Sequence, residues 1–311
     1  MAAFLAVSRT SVWKSIQALQ SDGYVIEGSP RLGYRLLIIP DHLYPAEITG
    51  NLHTKRIAIN REMIHHYHQV ESTNTTLKNL ADKDAPEGTI VVAEEQIGGR
   101  GRQGRFWLSP PGKGIWLSLL LRPPLPPQDT PVFTLLAAAA VAKSLKIILP
   151  ELAVGIKWPN DLLINKRKVC GILTELKAEA EFLHYLVIGI GINVNFREKD
   201  FTPELRKIAT SLYLENGRKN VSRQRLTSVL LNELDKSYTE LLSDGPRSII
   251  GQWKKDNITL GKKVVVKTVR EAFEGKAVDL NEDGSLIVEG KNGIRKHFHA
   301  GEVTLVPMNG G

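Results

Sequence analysis

Gly98-Gly-Arg-Gly-Arg-Gln-Gly-Arg105 sets four glycines and three arginines between two apolar runs, Val91-Val92-Ala93 before it and Ile115-Trp-Leu-Ser-Leu-Leu120 after it. Glycine frees the backbone to bring N–H groups close to a ligand, and each guanidinium offers a planar fork of donors. The stretch can therefore wrap an anion such as a phosphate or a carboxyl-phosphate anhydride. A flexible arginine-glycine segment for nucleic acid, or a solvated basic turn, would share this composition. The apolar flanks separate the readings, because they predict two buried strands, and a loop anchored between buried strands belongs to a folded site.

Outward from the loop, strands are predicted over Ile64–Val70, Thr89–Ala93, Ile115–Arg122, Gly155–Trp158, Asp161–Ile164, Lys168–Leu176 and Leu183–Ile190. Helices are predicted over Thr76–Asp82, Leu135–Leu149 and Gln224–Leu242, the last with Leu226, Val229, Leu230, Leu234 and Leu241 on one side. Such a mixture gives an α+β layered domain, placed here at 62–256. After Asn257 the pattern changes to short strands at Val264–Val266, Glu274–Asp279, Ser285–Glu289 and Ile294–His299, separated by Gly and Asn/Asp turns. That pattern predicts a small SH3-like β-barrel over 257–311.

At the other end, Ser8 is an N-cap, Val12, Ile16 and Leu19 recur at helical spacing, and Gly23 ends the helix. A hairpin follows, Tyr24–Ile26 against Tyr34–Leu37, with Arg31 at its tip. Helix and basic hairpin resemble the second half of a winged helix-turn-helix, whose face with Arg9, Ser11, Lys14 and Gln17 would enter the major groove. Seven residues precede Ser8, too few for the earlier helices, so 1–40 reads as a partial winged helix and 41–61 as a linker. The incomplete module counts against repressor activity and leaves DNA binding open.

The net charge of +8 favours anionic partners without choosing among nucleotide, nucleic acid and an acidic carrier protein. A single cysteine, Cys170, excludes an internal disulfide and cysteine-cluster metal sites, and fits a reducing compartment. No run approaches the roughly 18 apolar residues of a membrane span, and Ser8-Arg9 interrupts the apolar start too early for a signal peptide. A cytoplasmic protein is expected. His65, His66 and His68 alternate faces of a strand and lack a carboxylate or cysteine at ligand spacing, which argues against a metal cluster. Trp107, Trp116 and Trp158 read as core, and Lys254, Lys255, Lys262 and Lys263 as a solvated face.

Four further segments carry chemistry. Glu71-Ser-Thr-Asn74 lies where a strand meets a helix, and its side chains suit helix capping or ligand hydrogen bonds. In Lys157-Trp-Pro-Asn-Asp161 the proline fixes a turn that projects Asn160 and Asp161. Lys166-Arg-Lys168 leads to Cys170-Gly171, and would look the same as a charged surface hairpin. Gly189-Ile-Gly-Ile-Asn193 closes an apolar strand, its glycines permitting close backbone approach, but it lacks the third glycine of a dinucleotide fingerprint.

In this order the segments resemble the bacterial biotin protein ligases, whose longer members double as biotin operon repressors. The matching motifs are Ser72-Thr-Asn74, Gln96 with Gly99–Arg105, Lys157–Asp161, Lys168 with Gly171, and Gly189–Asn193, and the likeness spans nearly the whole chain. It implies a mixed-sheet, class II synthetase-like catalytic domain. The implied activity joins biotin to ATP, with Mg2+, and passes biotin to a lysine on the biotin carboxyl carrier protein of a carboxylase.

By the same resemblance Ser72, Thr73, Asn74 and Gln96 hold the uncharged biotin head, and Arg100, Gly101 and Arg102 fold over the ligand. Lys168 bridges the attacking carboxylate and the α-phosphate, and Asp161 holds Mg2+ or orients the acceptor amine. Arg105, Lys157 and Asn160 face the phosphates, and Asn193 the adenine or ribose. A homodimer through the central sheet is also implied. A lipoate or octanoate transfer enzyme is the alternative on a related fold, and a biotin-sensing repressor the alternative of a different class.

Overall fold

The computed structural model describes residues 2–29, 32–268 and 271–306, in two compact units divided between His42 and Leu43. In the first unit α1 (Arg9–Ser21) starts at Ser8, whose Oγ accepts from Ser11 N at 3.0 Å. Val12 and Ile16 are buried and Leu19 is exposed, so the buried stripe is narrower than its periodicity suggests. Arg9, Ser11, Lys14 and Gln17 are all exposed. Strands β1 (Val25–Ser29) and β2 (Gly33–Ile38) form an antiparallel hairpin, and the expected tip residue Arg31 lies outside the described residues.

The second unit opens with 43–61, read from sequence as linker, which instead joins the core. Leu43, Ile48, Ile57 and Ala58 are buried, with α2 at Pro45–Thr49. The Asp235 carboxylate accepts from the backbone N–H groups of Lys55, Arg56 and Ile57 at 2.7–3.0 Å, which fixes the segment although it has little regular structure.

The elements that follow are β3 (Ile64–Val70), α3 (Thr73–Ala81), β4 (Ile90–Gln96), β5 (Gly114–Leu121), α4 (Pro131–Ile148), β6 (Gly155–Lys157), β7 (Asp161–Ile164), β8 (Arg167–Glu179) and β9 (Phe182–Asn193). Helices α5 (Pro203–Ile208), α6 (Leu212–Glu215), α7 (Arg223–Asp244) and α8 (Pro246–Asp256) complete the catalytic-size layer. The strands form one sheet in the order β3-β4-β5-β9-β8-β7-β6, in which β3 and β4 are parallel and the other pairs antiparallel.

Register decides what each face of the sheet carries. Trp116, Gly191, Gly171 and Asp161 lie side by side across β5, β9, β8 and β7, and Ser118, Gly189 and Leu173 lie in the parallel row two residues away. Residues two apart on a strand share a face, so three glycines and a serine come together on one side. The alternating set, with Leu117, Leu119, Ile172, Ile188, Ile190 and Ile192, packs under α4 and α7 in the main core. One face is thereby sealed by apolar burial, and the other is left shallow in its middle.

Helix α4, with its preceding turn from Pro127, is long and apolar enough to cross a membrane, and it is mostly buried in the core. Strands β10 (Lys263–Lys267), β11 (Ala272–Leu280), β12 (Leu286–Glu289), β13 (Arg295–Phe298) and β14 (Glu302–Leu305) make an SH3-like antiparallel sheet ordered β13-β12-β11-β10-β14. Sequence reading finds the first four of these and misses β14, α8 and the short α5 and α6. Lys255, Lys262 and Lys263 are exposed, as a solvated face requires, and at the surface Lys254 pairs with Asp279 at 2.5 Å and Lys263 with Glu274 at 2.8 Å.

Candidate functional site

On the glycine-bearing face lies a cleft of about 520 Å³, lined by residues of the β4–β5 loop, the β6–β7 turn, β8, β9, α5 and the start of β14. It gathers every site residue singled out from sequence: Ser72, Thr73, Asn74, Gln96, Arg100, Gly101, Arg102, Arg105, Lys157, Asn160, Asp161, Lys168 and Asn193.

One end is polar and neutral. Gln96 Oε1 accepts from Thr73 N at 2.9 Å and from Thr73 Oγ1 at 3.1 Å, while Gln96 Nε2 donates to Ser109 Oγ at 2.9 Å. Ser118 Oγ lies 2.8 Å from Thr73 Oγ1 and 2.6 Å from Asn74 Oδ1. Ser72 occupies the N-cap position of α3, but its side chain makes no capping bond, so the capping role weighed from sequence is not the one it plays.

The glycines serve these side chains. A Cβ at Gly189 would stand 2.3 Å from Asn74 Oδ1, and one at Gly191 2.6 Å from Trp107 Nε1. The Gly-x-Gly of β9 is thus a place of close approach, and the groups that approach it are the side chains of Asn74 and Trp107. Trp107, read as core, is corrected: it lines the cleft, with the Lys168 ammonium 5.1 Å from its ring centre.

Lys168 Nζ lies 2.6 Å from Asp161 Oδ1, across the β7–β8 hairpin. The loop that bounds the cleft is folded on itself, with Gly101 N donating to Arg105 O at 2.7 Å and Trp107 N to Gly99 O at 2.8 Å. A side chain at Gly99 would meet Trp107 O at 2.5 Å, so the turn closes only with glycine there.

The arginines take separate partners. Arg100 contacts Thr75 Oγ1, and Arg102 donates to Asn160 Oδ1 and to Gly301 O, both at 3.2 Å. Arg105 pairs with Glu302, its Nη1 donating at 2.9 Å. Burial holds the Arg102 guanidinium below its ordinary value. The hydrogen bond from Arg105 holds the Glu302 carboxyl below the usual range. Glu302 opens β14 and Gly301 precedes it, so the edge of the C-terminal sheet grips the loop.

Asn160 is fixed from below by Nδ2 donating to Ile172 O at 2.9 Å, and Asn193 by Nδ2 donating to Thr210 O at 3.0 Å. Trp158, buried in the core, donates its indole N–H to Gly284 O at 3.1 Å, again from the C-terminal sheet. Trp107, Ser109, Ser118 and Glu175 are the functional-looking residues that sequence reading missed. Ser118 carries a usable signal, as the lone hydroxyl within an apolar run.

Over 296 residues the chain is 41% identical to the bifunctional ligase/repressor BirA of Bacillus spizizenii, covering 95% of this chain and 90% of that protein. The chain belongs to the biotin protein ligase family. Residues 67–193 match the model of the Biotin/lipoate A/B protein ligase family, 259–306 that of the Biotin protein ligase C terminal domain, and 1–35 that of an HTH domain. A biotin--[acetyl-CoA-carboxylase] ligase of Mycobacterium tuberculosis is 32% identical over 71% of this chain and 81% of its own length. Among solved structures, the biotin protein ligase from Aquifex aeolicus in complex with biotin and ATP superposes with a TM-score of 0.67 at 30% identity, covering 79% of this chain and 99% of that one.

One cleft thus holds neutral hydrogen-bonding groups, the cations Lys168 and Arg102, and the Trp107 ring.

Proposed function

We propose that this chain is a biotin protein ligase that activates biotin with ATP to biotinyl-5′-AMP and passes the biotinyl group to a lysine of a carboxylase carrier protein. The observation that carries this is a single cleft in which the uncharged Thr73–Gln96–Ser109–Ser118–Asn74 network adjoins the cations Lys168 and Arg102. A cyclic urea asks for neutral donors and acceptors, and a carboxylate meeting a triphosphate asks for fixed positive charge.

In the first step a biotin carboxylate oxygen bonds to the α-phosphorus and the bond to the β-phosphate bridging oxygen breaks, releasing pyrophosphate. In the second the acceptor amine bonds to the acyl carbon, AMP leaves, and the amine gives up a proton. Neither step uses a nucleophile from the protein. Its residues act by placement and charge. Lys168 sits between the two anions, and Arg102 covers the anhydride and shields it from water, held over the cleft through Asn160 and Gly301. Arg105 and Lys157 face the phosphates, while the Trp107 ring and Asn193, which line the same cleft, are offered to the adenine or ribose.

Mg2+ would arrive with ATP. Asp161 fits as one oxygen ligand, but among the described residues no cluster of three His, Cys, Asp or Glu side chains surrounds it. Asp161 would be the protein's ligand, and the ion would screen the phosphate charge. Asp161 is equally placed to receive the acceptor amine. A homodimer is supported by β8, whose residues beyond Ile172 pair only with β9 among the described strands, an open edge that a second sheet can extend. A cytoplasmic location goes with this role.

The test is transfer of labelled biotin to a purified carrier domain, with ATP and Mg2+ present or omitted and lipoate as competitor. ATP-dependent labelling of the carrier lysine that lipoate does not suppress is the expected result. No transfer by the folded protein overturns the assignment. Lipoate lacks the urea that the polar end is built to meet.

A second reading, DNA binding by residues 1–35, is supported by the HTH match and by the exposed Arg9, Ser11, Lys14 and Gln17 on α1. A gel shift with the biotin operator, with and without biotin and ATP, tests it. Absence of a shift with active ligase leaves the enzyme alone.

A further inference from the structure

The buried Asn74 amide has almost no capacity left for a ligand. Its Nδ2 donates to Glu175 Oε2 at 2.7 Å and to Leu173 O at 3.3 Å, using both hydrogens. Its Oδ1 accepts from Ser118 Oγ at 2.6 Å, which leaves one acceptor site. The orientation of an amide follows from its partners, and here two acceptors, a carboxylate and a carbonyl, stand on the NH2 side. Turning the amide over would set Oδ1 against both of them. Thr73 is engaged as well: its N–H donates to Gln96 Oε1, and its hydroxyl lies 3.1 Å from that oxygen and 2.8 Å from Ser118 Oγ.

Glu175 is held in turn. Lys78 Nζ, one helical turn along α3 from Asn74, lies 2.6 Å from Glu175 Oε1. Burial would raise this half-buried carboxyl, but the hydrogen bonds from Lys78 and Asn74 and the charges of Lys78 and Arg100 bring it below its ordinary value. It stays an anion, and so only an acceptor, across the physiological range.

We infer that Glu175 is a positioning residue for the biotin head: it sets the Asn74 amide so that the oxygen, and not the nitrogen, is offered to the ligand, and thereby selects a ring N–H at that place. This rests on the biotin-ligase reading above. A ligand with oxygen in place of that N–H meets an acceptor with an acceptor. With Glu175 removed, the amide can turn and donate instead.

The experiment compares biotin with its two cyclic carbamate analogues, each with one ureido N–H replaced by oxygen, in ATP-dependent pyrophosphate release. Wild-type protein should prefer biotin over one carbamate isomer by about tenfold or more in kcat/KM. Glu175→Leu should raise KM for biotin, leave KM for ATP unchanged, and bring that preference close to one. Glu175→Gln, which retains an acceptor, should keep the preference. Where E175L fails to fold by thermal melt, E175A gives the same comparison. An unchanged preference in the leucine or alanine variant, or an equal loss toward biotin and both analogues, overturns the role of Glu175. Wild-type protein that releases no biotin-dependent pyrophosphate overturns the functional reading itself, and the two failures are distinct.

Discussion

Lys168 Nζ and Asp161 Oδ1 stand 2.6 Å apart across the β7–β8 hairpin, while the Trp107 ring lies 5.1 Å from the same ammonium. The charge that the proposed first step would use is thus already fixed in place. Positioned charge costs no reorganisation at the moment of reaction, which is where such a site gains most of its rate.

Replacing Lys168 by alanine removes that charge and leaves Asp161 beside the incoming phosphates. Losing one such group typically costs ~3 to 4 kcal/mol of barrier, about two to three powers of ten in rate. Pyrophosphate release should fall by that factor while the circular dichroism spectrum stays unchanged. Near-normal release by the folded variant would remove Lys168 from the proposed chemistry.

Arg102→Gly breaks the bonds to Asn160 Oδ1 and Gly301 O and loosens the loop, which Arg105 still ties to Glu302. Adenylate formation should continue and its retention should fail. The readout is biotinylation of lysines on an unrelated bystander protein, expected to rise well above wild type. Equal bystander labelling in both proteins would count against a retaining role.

Gly189→Ala would set a methyl group 2.3 Å from Asn74 Oδ1. Relief of the overlap must move Asn74 or the β9 backbone, at a cost of about 1–3 kcal/mol. Isothermal titration should show weakened biotin affinity with nucleotide affinity retained, because the displaced group lies at the neutral end. A variant that binds biotin as tightly as wild type would mean that Asn74 takes no part in binding it.

Acid should loosen the core at Glu94. Burial pushes its carboxyl up, but the His66 hydrogen bond, the Arg223 charge and the Leu43 N–H together bring it from 4.5 down to about 2. A depressed folded value means that the contribution is complete above about pH 4.5 and is lost as pH falls toward 2. The shift corresponds to about 3 kcal/mol. Chemical denaturation should find Glu94→Gln destabilised by roughly that amount at pH 7. The gap from wild type should narrow progressively below the mid-fours, and a gap that stays constant down to pH 3 would show that the charge is not what stabilises this pair.

Much of the site is legible in the sequence because the chemistry needs rare residues in short runs. Arginine and glycine in one loop, and lysine, asparagine and aspartate around one proline, stand out from any packing pattern. What is lost is pairing across distance. Glu175 sits in a strand where a charged residue reads as a solvated face, and only the register of β8 against β9 brings it to Asn74.

Trp107 follows the same logic: an isolated tryptophan is most economically placed in a core, and only the absence of side chains at Gly171 and Gly191 reveals the slot that receives it. Helix α8, entered through Gly245 at φ +76° and Pro246, carries few apolar residues, Ile249, Ile250 and Trp253 among them. Those three fall on one face and are all buried, but a stripe of three within 11 residues is too short to announce a helix by itself. Residues 43–61 read as linker because nothing in their composition announces that Asp235, far along the chain, will satisfy three of their N–H groups.

The C-terminal part of the chain supports the reaction centre through two backbone carbonyls and one carboxylate: Gly284 O to Trp158, Gly301 O to Arg102, and Glu302 to Arg105. For protein engineering this sets a lower limit on size. A labelling reagent shortened before residue 259 would retain every group named as reactive, yet would have an unsupported turn and an unfastened loop. Because two of the three supports are main-chain atoms, no point substitution elsewhere can restore them, whereas the side chains of the C-terminal sheet facing solvent are open to redesign.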